Sequence, residues 1–165
     1  MKFKIKIFIT GGTFDKEYNE ITGKLYFKNS HMYELLELGR SNLDVNIETL
    51  MMVDSIDMSN AERKYIVQKC IDESTKQIVI THGTDTMVKT ATLLAEAKIK
   101  KTIILTGAMI PVKFGSSDGL FNMGSALSFV QALPFGVYIA MNGQIFDHRN
   151  VKKNIKLGIF EELEI

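Results

Sequence analysis

The sequence predicts a three-layer α/β domain on a mainly parallel sheet, and two observations carry that prediction. Runs of β-branched residues alternate regularly with helical patterns along the 165 residues, the order that builds βαβ units. Two of those runs, Ile78-Val79-Ile80 and Ile103-Ile104-Leu105, are short and wholly apolar, as strands covered on both faces must be. A chain of this length buries roughly two-thirds of its unfolded surface. Its 45% hydrophobic and 24% charged residues are globular proportions and exclude a disordered tail. No repeat, linker or low-complexity stretch interrupts it, so residues 1–165 are expected to form one domain.

The first strand is expected over residues 3–9, with Phe3, Ile5, Ile7 and Ile9 at period two. Further strands follow near 45–53, 77–81, 102–106 and 137–141. Ser59-Asn60-Ala61-Glu62 reads as a capping box, in which a hydroxyl takes one orphan amide and a carboxylate three residues on reaches back. The helix it opens carries Ile66, Val67, Cys70 and Ile71 on one stripe, which places Cys70 in the core. Other helices are expected at 32–38, 86–97 and 119–133. Asn142-Gly143 between two apolar runs is a two-residue hairpin signal and closes the sheet with a C-terminal β-hairpin.

Several function classes fall away on composition. Twenty Lys+Arg against 19 Asp+Glu leave a net charge of +1, without the basic face that a nucleic-acid binder needs. The basic run Arg149, Lys152, Lys153 and Lys156 reads by itself as solvated. One cysteine forbids an intramolecular disulfide or a multi-cysteine zinc site, and His31, His82 and His148 show no H-x-x-x-H spacing. His82 reads as a group filling its turn, and His31 and His148 as surface residues. The alternating N-terminus is a strand and not a signal peptide. No apolar run approaches the roughly 20 residues of a membrane span. The expectation is a cytoplasmic protein with neither nucleic acid nor membrane as partner.

In such sheets ligands bind beyond the carboxyl ends of the strands, so the residues following each strand matter most. They are Thr10-Gly11-Gly12-Thr13, Asp54-Ser55-Ile56-Asp57, Thr81-His82-Gly83-Thr84-Asp85-Thr86 and Thr106-Gly107-Ala108-Met109-Ile110-Pro111. Helix capping accounts for Ser55, Ser59 and Ser117, but not for two turns carrying more threonines than a cap requires. A phosphate site is disfavoured: neither G-x-G-x-x-G nor G-x-x-x-x-G-K-[ST] occurs. Nucleophilic catalysis fits better. A threonine hydroxyl attacks only when a neighbour takes its proton, and a desolvated lysine can do so. Thr84 with Asp85 offers a hydroxyl and a charge partner. Thr13 offers a second hydroxyl on a turn whose glycines leave backbone amides open to an oxyanion.

These segments resemble the bacterial-type L-asparaginase family. Thr10-Gly11-Gly12-Thr13 and His82-Gly83-Thr84-Asp85-Thr86 are similar to its two signatures. Leu105-Thr106-Gly107-Ala108-Met109 with Ser117-Asp118-Gly119 and Asn122 is similar to its third segment, and Asp147-x-Arg149-x-Val151-x-Lys153 to its closing one. The resemblance implies a flavodoxin-like three-layer domain that hydrolyses L-asparagine to L-aspartate and ammonia with no cofactor or metal. It implies Thr13 as the nucleophile that forms an acyl-enzyme, and Thr84, Asp85 and Lys153 as a triad in which Lys153 relays the proton. Gly12, Ser55, Gly83, Thr84, Asp85 and Ala108 would bind substrate: Asp85 the α-amino group, Ser55 the α-carboxylate, the Ala108 carbonyl the leaving ammonia. Tyr18, in the stretch after Thr13, would be the lid tyrosine that reaches the nucleophile, with Tyr26 as the competing candidate.

Two departures from the family pattern bear on affinity. Ile56 stands where many relatives carry glutamine. The sequence stops at Ile165, about where the relatives' second domain would begin, and a single-domain form without that domain's contacts is expected. Both lead to an expectation of weak substrate binding. The alternative reading is a non-catalytic amino-acid binding or regulatory module on the same fold; a third is a nucleotide-binding flavodoxin-like protein. Leu120-Phe121, Met123, Ala126-Leu127 and Phe129-Val130 place apolar side chains around most of one helix. Since a surface helix needs a single stripe, a homodimer or dimer of dimers is expected.

Overall fold

A computed structural model describes residues 4–164. Its sheet has six strands: β1 (Lys4–Gly11), β4 (Asp44–Val53), β5 (Gln77–Thr81), β6 (Thr102–Thr106), β7 (Gly136–Met141) and β8 (Gln144–Asp147). Their spatial order is β4-β1-β5-β6-β7-β8, all parallel except β8. The chain leaves β1 for β4 on one side and returns to β5 on the other. That reversal makes the gap beyond β1 and β5 the topological switch point, where sheets of this class bind ligands.

Four helices cover the two faces: α1 (Met32–Leu38), α2 (Asn60–Asp72), α3 (Met87–Glu96) and α4 (Gly119–Ala132). On one side Ile66 and Cys70 of α2 and Ala91 and Leu94 of α3 pack on Phe8, Ile78, Ile80, Ile103 and Leu105. On the other, Met32 and Leu35 of α1 and Met123, Ala126 and Val130 of α4 pack on Ile5, Ile7, Ile9, Val79 and Ile104. Alternate residues of β1 therefore serve opposite cores. The result is the three-layer, mainly parallel architecture that the sequence predicts.

Local signals act as their chemistry requires. Ser59 Oγ accepts from the Glu62 amide at 3.2 Å while the Glu62 carboxylate accepts from the Ser59 amide at 2.7 Å, closing the capping box. At the far end of α2, Lys101 Nζ donates to the carbonyls of Cys70 (2.6 Å), Ile71 (3.0 Å) and Glu73, satisfying acceptors the helix leaves orphaned. The Asn142-Gly143 turn has positive φ at both residues, 57° and 75°, the type I′ geometry that joins β7 to antiparallel β8.

Three expectations need correction. Ile71 is half exposed, and the inner stripe of α2 runs instead through Arg63, Ile66 and Cys70. His31 is buried and not a surface residue, with Nε2 3.1 Å from Glu17 Oε1. Two hairpins lie outside the predicted elements: β2 (Lys16–Asn19) with β3 (Lys24–Phe27), and β9 (Lys152–Asn154) with β10 (Ile159–Glu161). Phe3 lies outside the described residues.

Candidate active site

Glycine lets three turns at the carboxyl edge interlock. Gly12 has φ +74°, and a Cβ there would stand 2.5 Å from Gly83 Cα. A Cβ on Gly83 would in turn stand 2.6 Å from Ser55 Oγ. Both values lie far inside van der Waals contact, so no other residue fits without moving backbone. Thr13 follows Gly12 and Thr84 follows Gly83, so the same contact brings Thr13, Ser55 and Thr84 to the switch point. Thr13 opens a short 3₁₀ turn, Thr13–Asp15, and Gly12 anchors it by donating to the Val53 carbonyl at 3.0 Å.

Two turns of the carboxyl edge are braced from below. His82 is fully buried, with Nδ1 2.7 Å from the Gly83 carbonyl and Nε2 2.8 Å from Thr90 Oγ1. A carbonyl can only accept, so Nδ1 carries the proton and Nε2 takes the Thr90 hydroxyl hydrogen. Burial pushes the His82 pKa down to about 4, so the ring is a neutral brace. The β6 turn is held from α4. Asn122 Nδ2 donates to the Gly107 carbonyl at 2.9 Å, and the amides of Met109 and Ile110 donate to the Asp118 carboxylate at 3.0 Å. Ala108, between them, is buried.

Lys153 comes from the other end of the chain. It lies on β9, which the buried Phe160 of β10 and the buried Val151 hold to the core. Its Nζ donates to Thr84 Oγ1 at 2.8 Å and to Asp85 Oδ1 at 2.7 Å. Thr84 Oγ1 also lies 3.6 Å from Met109 Sδ. A lysine, a hydroxyl and a carboxylate are thus in direct hydrogen-bond contact beside the Gly12-Thr13 turn. Lys152, its neighbour, turns away towards Glu161 at 3.4 Å.

The family profile described as "Asparaginase, N-terminal" matches residues 4–158. The chain belongs to the asparaginase family. It is 30% identical over 161 residues to a Haemophilus influenzae protein named "Probable L-asparaginase periplasmic", covering 90% of this chain and 46% of that one. It is 31% identical over 164 residues to a glutamyl-tRNA(Gln) amidotransferase subunit of Saccharolobus islandicus, covering 92% of this chain and 37% of that one. Its fold superposes on the "Probable Cytoplasmic L-asparaginase" of Campylobacter jejuni with a TM-score of 0.83 at 30% identity, covering 98% of this chain and 53% of that one. The chain therefore spans about half, or less, of the length of these asparaginase-family relatives.

Within this asparaginase-family fold, the residues nominated from sequence fall into two groups. Gly12, Thr13, Ser55, Gly83, Thr84, Asp85, Ala108 and Lys153 lie on the turns at the carboxyl edge and on β9. Tyr18 stands apart on the outer face of the β2–β3 hairpin, half exposed, with its hydroxyl near Gly23. Tyr26, on the facing strand, donates to Glu17 Oε2 at 3.0 Å. Among the described residues neither tyrosine hydroxyl bonds to Thr13. Ile56, beside the buried Ser55, is largely exposed and offers a ligand no side-chain hydrogen bond.

Two contributors went unnamed at the level of sequence. Lys16 forms an ion pair with Asp54, tying the base of the β2–β3 hairpin to the turn that carries Ser55. Arg63 reaches under that same turn. A charged residue in a helix or exposed strand reads as solvent-facing, and only three-dimensional contact marks these two as different. Among the described residues no group of three His, Cys, Asp or Glu side chains could hold a metal ion.

Proposed function

We propose that this protein hydrolyses the side-chain amide of L-asparagine to L-aspartate and ammonia, with Thr13 as nucleophile. The observation that carries the reading is the contact of Lys153 with both Thr84 and Asp85, at 2.8 Å and 2.7 Å, beside the turn that presents Thr13. Membership of the asparaginase family supports amide hydrolysis as the reaction class. In the proposed reaction Thr13 Oγ bonds the amide carbon and its proton is passed on. The C–N bond breaks, nitrogen leaves protonated as ammonia, and a threonyl ester remains. Water, activated by Thr84 and Lys153, then cleaves the ester and returns the proton to Thr13. Asp85 and Ser55 hold the α-ammonium and α-carboxylate, the Ala108 carbonyl faces the leaving nitrogen, and Gly12 and Gly83 let the backbone approach. No cofactor takes part.

A cytoplasmic location belongs to the same proposal. The Campylobacter jejuni neighbour is named cytoplasmic and supports it, although the Haemophilus influenzae relative is named periplasmic. Residues 1–165 act as one asparaginase N-terminal-type domain, and the exposed Leu120 and Phe121 of α4 support its association as a homodimer or dimer of dimers. The test is stoichiometry: purified protein should release one ammonia per aspartate from L-asparagine, with weaker action on glutamine. Binding of asparagine without ammonia would favour the non-catalytic module. The likeness to an amidotransferase subunit favours a second reading, in which ammonia is handed to a partner's substrate. Preference for glutamine over asparagine would support that one.

A further inference from the structure

Arg63 is 2% exposed, the largest fully buried side chain described. All four of its hydrogen-bond partners are neutral oxygens: the carbonyls of Met58, Ser59 (3.4 Å) and Ser55 (3.2 Å), and Thr86 Oγ1 (2.7 Å). Among the described residues its Nε has no hydrogen-bond partner. Neighbouring Glu62 is committed to the capping box, so among the described residues no carboxylate is paired with the buried guanidinium. Desolvation draws its pKa below the ordinary value, yet an arginine stays charged throughout the range of life.

An unpaired buried charge is costly, so its location matters. Arg63 Nη2 holds the Ser55 carbonyl and the Thr86 hydroxyl at once. Thr86 returns to Ser55 twice: its hydroxyl donates to the Ser55 carbonyl at 2.9 Å and its amide to Ser55 Oγ at 3.3 Å. Ser55 Oγ therefore keeps its own hydrogen to donate. Ser55 also lies against Gly83, and Asp85 immediately precedes Thr86. One cation thus underlies both the serine offered to an α-carboxylate and the turn that carries the acid offered to an α-ammonium.

We propose that Arg63 is a positioning and specificity-determining residue: it locks Ser55 to Thr86 and supplies the positive potential that selects ligands bearing an α-carboxylate. It does so from beneath, without touching the ligand. The inference rests on the reading of the site as one for aspartate-like amino acids. It goes beyond that reading in assigning carboxylate selection to a residue outside the family segments.

Calorimetric titration with L-aspartate and with β-alanine, which is aspartate without its α-carboxylate, tests it on the intact chain. Wild type should bind aspartate more tightly than β-alanine. Arg63→Met should weaken aspartate about tenfold or more and leave β-alanine within about twofold, and Arg63→Lys should recover part of the loss. Equal weakening of both ligands, or unchanged aspartate affinity, would overturn the assignment. Should Arg63→Met fail to melt cooperatively, Thr86→Val removes the hydroxyl bridge alone. It should weaken aspartate about three- to tenfold, and no change there would equally overturn it. Arg63-dependent aspartate binding without asparagine turnover would remove the hydrolase reading and leave this one standing. Absence of aspartate binding by wild type would overturn this one.

Discussion

Gly12 is pressed against Gly83 so closely that a single methyl on the first would stand 2.5 Å from the Cα of the second. Two signature turns 71 residues apart in sequence therefore meet as bare backbone. The residues that follow them, Thr13 and Thr84, are carried to the same edge of the sheet by that contact.

Gly12→Ala combines a left-handed backbone at φ +74° with a backbone collision. It should cost at least about 2 kcal/mol of stability and abolish turnover. Gly115→Ala is the control: φ is +78° but nothing among the described residues lies within 4 Å of the added carbon, so the loss should be about 1 kcal/mol with activity retained. Thermal unfolding of both variants measures the difference.

Lys152 and Lys153 are adjacent lysines with different surroundings. Lys153→Met removes the only side chain bonded to both Thr84 and Asp85 among the described residues and should lower kcat by about 10²–10⁴. Lys152→Met breaks a partly exposed pair with Glu161 and should change kcat less than about twofold. Initial-rate kinetics on the two variants separates a catalytic lysine from a basic patch.

His82 makes folding sensitive to mild acid. Its folded pKa is near 4 against an ordinary 6.5. Between those values the unfolded chain takes up a proton that the folded chain refuses. Stability therefore falls as pH falls through that window, by about 3 kcal/mol once pH 4 is reached. Glu73, against the opposing effect of burial, and Asp147, beside Arg149, are both held at about 2 by hydrogen bonds. They lose their contributions only below the ordinary carboxylate values. Asp15, raised by burial, works in the opposite direction. The span from pH 6.5 to 5 is thus the diagnostic one, and denaturant titrations there should show a slope that His82→Gln flattens.

What could be read in advance follows from where the chemistry sits. Ile78-Val79-Ile80 and Ile103-Ile104-Leu105 are apolar because helices cover both faces, so the sheet and its carboxyl edge were legible from pattern alone. The β2–β3 hairpin was not: Lys16-Glu17-Tyr18-Asn19 and Lys24-Leu25-Tyr26-Phe27 bury no continuous face and carry no alternation to find. On α2 the expected stripe fails at Ile71, which is half exposed, while Arg63, for which the sequence carries no signal, is buried because it hydrogen-bonds the Ser55 carbonyl and the Thr86 hydroxyl. His31 reads as superficial from sequence because its partners are non-local: Asp15 at the end of the Thr13–Asp15 turn accepts from its amide, and Glu17 on β2 faces its ring. Lys153 could be separated from Lys152 by the closing motif, but only the β9–β10 pairing turns it inward.

The central claim is that Thr13 attacks the amide, and steady-state ammonia release from L-asparagine by wild type, Thr13→Ser and Thr13→Ala tests it most directly. The account predicts turnover in wild type, measurable turnover in Thr13→Ser, where a hydroxyl remains, and a loss of about 10³-fold or more in Thr13→Ala, with all three proteins folded by circular dichroism. Ammonia released by Thr13→Ala at the wild-type rate would contradict it.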